Sequence, residues 1–276
     1  GVATAYESLR AGRTVCLTEM TDWLGGQLTS QGTTALDEAR RQRQLEFYPA
    51  GYNQLRQRVL ERYGRQNPGD CWVSAVCFLP ADAHDILVEM LDEAARAGRG
   101  ELKWFPSTVV KELDVAGTMI VDAIAIQHSP APGTPPLNTE PLSANLEDIY
   151  RYDDSERLSK RIIRFEPSGH DGPADWYVVE ATETGEVIAL AGVPYRLGLD
   201  PKSYLNPSSP TLTGDQYCTQ GFTYTFAMER TESAQSQEKP AYYDTYAPYF
   251  SFERQRDNTN YIDFVFTYRR LLAPGK

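Results

Sequence analysis

The first nineteen residues change from an amphipathic pattern to a short apolar run. Small and apolar side chains, including Ala5 and Leu9, predict a helix that Gly12 ends as a C-cap. Residues 14–17 then form a nearly continuous apolar run, which is typical of a parallel strand buried on both faces. Glu19 lies at the carboxyl end of this predicted strand. The pattern therefore predicts a helix and a strand that lead to an acid.

The clearest helical periodicity in the chain lies between residues 79 and 98. Apolar side chains recur there at intervals of three and four residues, at Ile86, Leu87, Met90, Leu91, Ala94 and Ala95, and Gly98 closes the pattern. The polar, Arg-rich residues 39–69 predict one or two further helices laid over the same domain. Residues 101–105, 107–113 and 119–126 predict three strands. This half of the chain therefore predicts a mixed α/β domain.

The second half of the chain is less regular. Prolines concentrated in residues 128–145 predict an inserted irregular loop, because proline removes a backbone donor and fixes φ. Residues 161–165 predict a short strand, and residues 176–182 predict a strand that leads into a helix over 187–191. Residues 223–229 and 261–268 alternate as strands, which predicts an antiparallel sheet.

The helix, strand and acid of the first nineteen residues fit the back half of a βαβ dinucleotide-binding unit. In such a unit a carboxylate about 20 residues past a glycine turn binds a ribose hydroxyl, which is the role expected of Glu19. Gly1 would then be the last glycine of a G-x-G-x-x-G turn, and it would let the helix pack closely against the strand. The first strand and the leading glycines of this unit do not precede Gly1. We therefore expect a truncated unit that binds its dinucleotide weakly.

Residues 19–29 add a more specific signal. Glu19 followed by Trp23-Leu24-Gly25-Gly26-Gln27-Leu28-Thr29 resembles FAD-dependent oxidoreductases of the glutathione-reductase-like superfamily. More closely, the run is similar to a broad bacterial FAD-dependent oxidoreductase family. The resemblance implies that FAD is the cofactor and that Gly25 and Gly26 let the backbone approach its pyrophosphate and ribitol. The alternative from the residues alone is a glycine turn with Trp23 packed in the core.

The same resemblance assigns further residues to the cofactor. It places Met20, Trp23 and Gln27 in the cofactor-binding stretch and brings the backbone of Val109 against adenine. The interpretation of Val109 as a plain sheet residue fits the sequence equally well.

A second stretch is similar to the A-T-x-x-G-D turn that this family places against the dinucleotide. It implies backbone roles for Ala181, Thr182 and Gly185. Glu186 stands where the family has Asp, so a carboxylate-specific role there is in doubt.

Composition excludes several classes of partner. The 276 residues carry a net charge of −11, which disfavours nucleic acid and anionic membranes, since both select for clustered Lys and Arg. No apolar run reaches 18 residues, so no membrane span is predicted. We expect a small-molecule substrate and a cytoplasmic location, with export left open because we expect the true N-terminus to be missing. The oligomeric state is not predicted.

The four cysteines and three histidines do not form a pattern typical of a metal site or a redox pair. No C-x-x-C is present, so we expect neither zinc nor a dithiol beside the flavin. Cys16 is expected to be a small buried strand residue, and a disulfide between Cys71 and Cys77 is not favoured. His84 is expected at the surface.

Together these observations predict an incomplete Rossmann-like α/β FAD-binding domain over residues 1–198. Residues 199–276 are expected to be part of an inserted β-rich substrate domain. The expected function is FAD-dependent oxidoreduction, with direct transfer of a hydride or electron pair from a small molecule and no cysteine taking part. The alternatives are an NAD(P)-dependent dehydrogenase of Rossmann type and a non-catalytic scaffold. No catalytic residue is predicted.

Overall fold

A computed structural model describes residues 1–71, 74–139, 142–167, 176–218, 225–226 and 231–246. The α-helices are α1 (Val2–Arg10), α2 (Arg40–Leu45), α3 (Ala50–Tyr63), α4 (Pro80–Gly98), α5 (Leu146–Ile149), α6 (Glu186–Leu190) and α7 (Tyr243–Tyr246). Short 3₁₀ helices cover Gly26–Leu28 and Leu142–Ala144. The strands are β1 (Thr14–Thr18), β2 (Glu101–Phe105), β3 (Thr108–Ala116), β4 (Met119–Pro130) and β5 (Leu158–Phe165).

The first part of the chain forms a parallel two-stranded unit covered by helices. β1 pairs with β2 in parallel, from Thr14 opposite Glu101 to Thr18 opposite Phe105. Parallel neighbours require a long crossover, and α2, α3 and α4 supply it. α1 packs on α4, and the core between the helices and β1 contains Leu9, Val59, Phe78, Ile86 and Leu91, none more than 1% exposed. The predicted helix–strand pair and the helix over 79–98 are confirmed.

The second sheet begins where the first one ends. β3, β4 and β5 form an antiparallel meander in that order. Its start is bonded to the segment after β1, because Thr108 N–H donates to the Glu19 carbonyl at 2.8 Å and Ser107 N–H donates to the Thr21 carbonyl at 2.8 Å. The meander therefore places its first strand beside Glu19.

Several predictions for the second half were wrong or lie outside the described residues. β4 extends to Pro130, into the segment predicted to be irregular, because its last residues still pair with β5 and end at the sheet edge, where proline is tolerated. Residues 176–181 are irregular, although a strand was predicted there. The predicted strand over 261–268 lies outside the described residues, as does that over 223–229 except for Thr225 and Phe226.

The cysteines also differ from expectation. Cys71 and Cys77 form a disulfide, with their Cα atoms 6.3 Å apart. The chain turns before Cys77, because the Val76 N–H donates to the Ser74 hydroxyl, which itself donates to the Leu36 carbonyl. Cys16 is exposed rather than buried, since it faces a cavity beside β1. Disulfides are typical of oxidising compartments, so the cytoplasmic location stays a prediction.

Candidate cofactor site

A cavity of about 610 Å³ lies at the carboxyl end of β1. Its walls come from the first turn of α1, the turn at Gly25 and Gly26, the N-terminus of α3, the start of β3 and the segment 179–186. Nine residues predicted to bind the cofactor line it: Gly1, Glu19, Met20, Gly25, Gly26, Val109, Ala181, Thr182 and Glu186. Residues that are up to 185 positions apart in the sequence therefore meet at one cavity.

Glu19 lies at the centre of this wall, half-buried directly after β1. Its Oε1 accepts hydrogen bonds from the Thr21 N–H at 3.2 Å and from the Thr21 hydroxyl at 3.3 Å. Burial raises the pKa of the Glu19 carboxyl above its usual value, although the Thr21 bonds oppose that effect. The carboxylate is thus oriented by its own turn and is partly withdrawn from water.

Gly25 and Gly26 form a left-handed turn in which a side chain would be strained, most of all at Gly25. Both have left-handed backbone angles, with φ of +117° and +54°. A Cβ at Gly25 would come within 2.8 Å of Leu87 Cδ1, and a Cβ at Gly26 would come within 2.5 Å of Glu183 Oε1. The paired glycines therefore expose bare backbone to the cavity.

The first turn of α1 supplies backbone donors. Gly1 caps the helix without a side-chain bond, the first turn carries no acidic residue, and Val2 and Ala3 line the cavity. The first N–H groups of a helix lack intrahelical partners and attract anions. The packing role predicted for Gly1 is not observed, since a Cβ there would make an ordinary 3.7 Å contact with Leu17. The close approach occurs instead at Gly98, which meets the Leu9 carbonyl.

The segment 179–186 closes the cavity from the second half of the chain. Gly185 caps α6 with φ +66°, and its N–H donates to the Thr182 hydroxyl at 2.9 Å. Glu186 accepts hydrogen bonds from the Tyr150 hydroxyl at 2.9 Å and from the Thr182 hydroxyl at 3.1 Å. Burial by itself would raise the pKa of Glu186, but its hydrogen bonds outweigh burial and lower it. The carboxylate of Glu186 is therefore bonded within the protein.

The remaining predicted residues lie outside the cavity wall. Trp23 is half-buried and stacks on His84, with ring centroids 5.9 Å apart. Gln27 is exposed in the 3₁₀ helix after the glycine pair. Gly185 shapes the turn behind Thr182. These three residues support the cavity wall or flank it, whereas the other nine face the cavity.

A buried polar cluster beside the cavity was missed from the sequence. Glu38, whose side chain is 3% exposed, pairs with Arg56 Nε at 2.7 Å and accepts a hydrogen bond from Tyr52 at 3.0 Å. Tyr52 lines the cavity, and burial raises its pKa. Tyr48, Tyr52 and Arg56 are spaced by four residues along one face of α3 and the turn before it. That spacing was the available signal, but it does not show that an acid 14 residues earlier folds back onto it.

The charge of the cavity restricts how it can bind a phosphate. Among its described lining residues, four are carboxylates, Glu7, Glu19, Glu183 and Glu186, and none is Lys, Arg or His. Backbone N–H groups of α1 and of the glycine turn can therefore serve as donors to an anion, alongside the hydroxyl groups that line the cavity.

A second cavity, of about 300 Å³, adjoins the first at Met20. The Pro-rich segment forms much of its wall, and Ile149 of α5 also lines it. His128 lies in it, with Nδ1 2.8 Å from the Ser107 carbonyl and Nε2 2.7 Å from the Ile149 carbonyl. Burial lowers the pKa of His128. This histidine ties the start of β3 to α5.

Two further features bear on the class of the site. In the described part of the chain, no three His, Cys, Asp or Glu side chains come together as a metal site requires. None of the described helices is both long and apolar enough to cross a membrane.

The fold and the cavity define a mixed α/β protein with a site of cofactor size. Residues 1–133 match the family model described as FAD dependent oxidoreductase. The match supports that family and makes the protein an FAD-dependent oxidoreductase, an enzyme whose cofactor is FAD. No curated protein and no solved structure matches this chain.

Proposed function

We propose that the 610 Å³ cavity is the FAD site and that the enzyme oxidises a small molecule directly at the flavin. One observation carries this proposal. One cavity is lined by Glu19, which is the acid predicted to bind a ribose, by the glycine pair and by the first turn of α1. All three lie within the residues that match the family model. The proposal includes a place in the glutathione-reductase-like superfamily and an inserted substrate domain over residues 199–276.

The residues present fit FAD in size and chemistry. Ligand cavities usually span roughly 300–1,000 Å³, and this one lies within that range. A diol requires an acceptor, which Glu19 supplies, and a pyrophosphate requires donors, which the first turn of α1 supplies. The glycine pair keeps side chains out of the turn, and a Cβ at Gly25 would crowd Thr29 and Leu87.

Each part of the wall then has a defined task. Glu19 holds the adenosine ribose, α1 and the glycine turn hold the pyrophosphate, and the Val109 backbone faces the adenine. Ala181 and Thr182 cover the opposite side. FAD, when bound, supplies the redox chemistry by accepting a hydride or an electron pair. The apolar residues Leu24, Leu55, Leu87 and Met90 exclude water from the inner end of the cavity.

The cysteines support direct transfer over a dithiol relay. Cys71 and Cys77 are buried as a disulfide and do not line the cavity. Cys16 lines it, but beside the strand that leads to Glu19. A dithiol mechanism requires a thiolate and a resolving partner at the reacting end of the cofactor.

Cofactor titration tests this proposal against its two competitors. The full-length gene product would be purified, stripped of nucleotide, and titrated with FAD, NAD⁺ and NADP⁺ by fluorescence. Binding of FAD with loss in a Gly25→Val variant is the expected result, because valine would clash with Leu87 and require φ near +117°. Gly64→Val, at a left-handed C-cap with open space around it, is the matched control for backbone strain.

The other outcomes are equally specific. Tight NAD(P) binding without FAD would identify a nicotinamide-dependent dehydrogenase. Binding of no nucleotide would favour a non-catalytic scaffold. The four lining carboxylates, with no Lys, Arg or His among the described lining residues, would then explain the result by repelling the phosphates. Anaerobic bleaching of bound FAD by candidate donors would then define the substrate class.

A further inference from the structure

His84 and the turn that carries the glycine pair are in direct contact. The Leu24 N–H donates to Nδ1 of His84 at 3.0 Å, although the two residues are 60 positions apart. The Trp23 ring lies nearly parallel to the imidazole, with 12° between the planes. His84 is half-buried near the N-terminus of α4, contrary to the surface position expected for it.

This contact satisfies a buried backbone group at the entrance to the turn. Leu24 is 2% exposed, and its carbonyl accepts a hydrogen bond from the Thr29 hydroxyl at 2.7 Å. Its N–H and its carbonyl are therefore bonded to two different side chains. Removing either partner would leave a buried polar group without a bond, which is costly.

The contact also sets the position of α4 relative to Gly25. Leu87, one turn after His84, lies where a Cβ of Gly25 would approach its Cδ1 to 2.8 Å. Thr29, which bonds Leu24, meets the same point from the other side at 2.7 Å. Gly25 thus occupies a slot whose two walls are fixed through Leu24.

We propose that His84 is a positioning residue that holds Gly25 and Gly26 in the conformation that receives FAD. The role rests on the proposed cofactor site. It requires an unprotonated Nδ1, because only that nitrogen can accept the Leu24 N–H, and the proton of the neutral ring is then on Nε2. His84 touches neither FAD nor substrate in this role and acts through Leu24.

Three variants separate the acceptor from the bulk of the ring. His84→Asn places an amide oxygen close to the position of Nδ1, whereas the longer side chain of His84→Gln places it near Nε2. His84→Ala removes the acceptor altogether. All three lose the stack with Trp23, so the stack does not contribute to the differences among them, and comparison of Asn with Gln tests the position of the acceptor.

FAD affinity and flavin-free melting temperature would be measured for the full-length gene product and each variant. We expect His84→Ala and His84→Gln to bind FAD about tenfold more weakly, which corresponds to about 1.4 kcal/mol. His84→Asn is expected to stay within about threefold of the parent, since one good acceptor is retained. The visible circular dichroism of bound flavin should be restored by Asn and altered in Ala.

Two results would overturn the role. Parental affinity in His84→Ala would show that the glycine turn does not depend on this contact, and the proposed cofactor site would stand. If His84→Asn lost as much FAD affinity as His84→Ala and His84→Gln, and the losses followed the fall in melting temperature, the role of His84 would be general packing. If the parent itself bound no FAD, the proposed function would fail and this role with it.

Discussion

Residues 1–133 and residues 176–246 bury their apolar side chains to very different extents. The first region contains the large core, including fully buried Leu9, Val59, Val76 and Phe78. In the described part of the second region, Val187 is the one buried apolar side chain. Large apolar residues there are mostly exposed, among them Tyr177, Tyr204, Leu205, Leu212 and Tyr217, each above 80%. Stability therefore resides in the first region, whereas the second contributes a cavity wall.

The largest expected effect tests this difference in burial. Phe78→Ala removes a side chain that is 0% exposed, so we expect unfolding to become easier by about 3–5 kcal/mol. Tyr204→Ala removes an aromatic that is 96% exposed and should change stability by no more than about 0.5 kcal/mol. Urea unfolding followed by tryptophan fluorescence measures both. Similar losses in the two variants would show that Tyr204 is covered in solution.

The two regions also differ in how much of their secondary structure could be predicted from the sequence. The α1–β1 pair, α3 and α4 were predicted because their local hydrophobic pattern indicates them. That Glu19 and the glycine pair face one site was implied by the family resemblance and not by periodicity, and both line the same cavity. The strand predicted at residues 176–181 was wrong. An apolar run favours a strand only where a neighbouring strand completes the backbone hydrogen bonds, and none of the described strands pairs with residues 176–181. The contact observed there is made by a side chain, because the indole Nε1–H of Trp176 donates to the Ile120 carbonyl near the start of β4. Whether a neighbouring strand is available to pair with such a run is not encoded in the local sequence.

Two of the contacts missed from the sequence join residues that are far apart in the chain, and a third joins Cys71 to Cys77, six positions away. The bonds from Leu24 to His84 and from Tyr52 to Glu38 join different elements, and neither residue pair has a characteristic spacing. The Cys71–Cys77 disulfide was not favoured from the sequence, because nothing in the local pattern shows that the Ser74 hydroxyl would accept the Val76 N–H and turn the chain. Such contacts follow from the packing of whole elements, which periodicity does not specify.

The next largest effect separates stability from chemistry within the first region. Replacing Cys71 and Cys77 by Ala opens a short loop, which we expect to cost about 2 kcal/mol of stability through the entropy of the unfolded chain. FAD reduction by a donor should continue in the folded variant, since neither sulfur lines the cavity. Urea unfolding and anaerobic bleaching measure the two properties. A folded, flavin-loaded variant that no longer bleaches would disprove direct transfer.

The negative charge of Glu19 should lower the stability of the flavin-free protein and strengthen its binding of FAD. Burial raises the pKa of Glu19 above its ordinary 4.5, so its contribution to stability is present below that value and lost as the pH rises through the folded pKa. At pH 7 the ionised carboxyl therefore destabilises the flavin-free protein. Glu19→Gln should raise the flavin-free melting temperature by roughly 1–3 °C.

The same variant should bind FAD at least about tenfold more weakly, because an amide is a poorer acceptor for a ribose diol than a carboxylate. Melting curves from pH 4 to 8 and flavin titration measure the two effects. Glu61→Gln, at an exposed position on α3, is the control and should change neither. A parental affinity in Glu19→Gln would rule out the ribose role.

The smallest expected effect concerns the point where the two regions meet. Glu183 lies against Gly26, and its Oε1 accepts a hydrogen bond from Gln31 at 2.9 Å. Its carboxylate therefore lies where the proposed pyrophosphate would pass, and it is exposed enough for water to screen much of the repulsion. Glu183→Gln removes the charge and leaves an amide oxygen for Gln31. We expect FAD to bind about two- to fivefold more tightly, in keeping with exposed charge interactions of about 0.5–1 kcal/mol.

Glu232→Gln, also exposed in the second region, is the matched control and should have no effect. The gain should shrink at high salt, because screening already weakens the repulsion in the parent. Weaker binding in Glu183→Gln would show instead that this carboxylate holds the cofactor, and the second region would then take part in recognition rather than only covering the site.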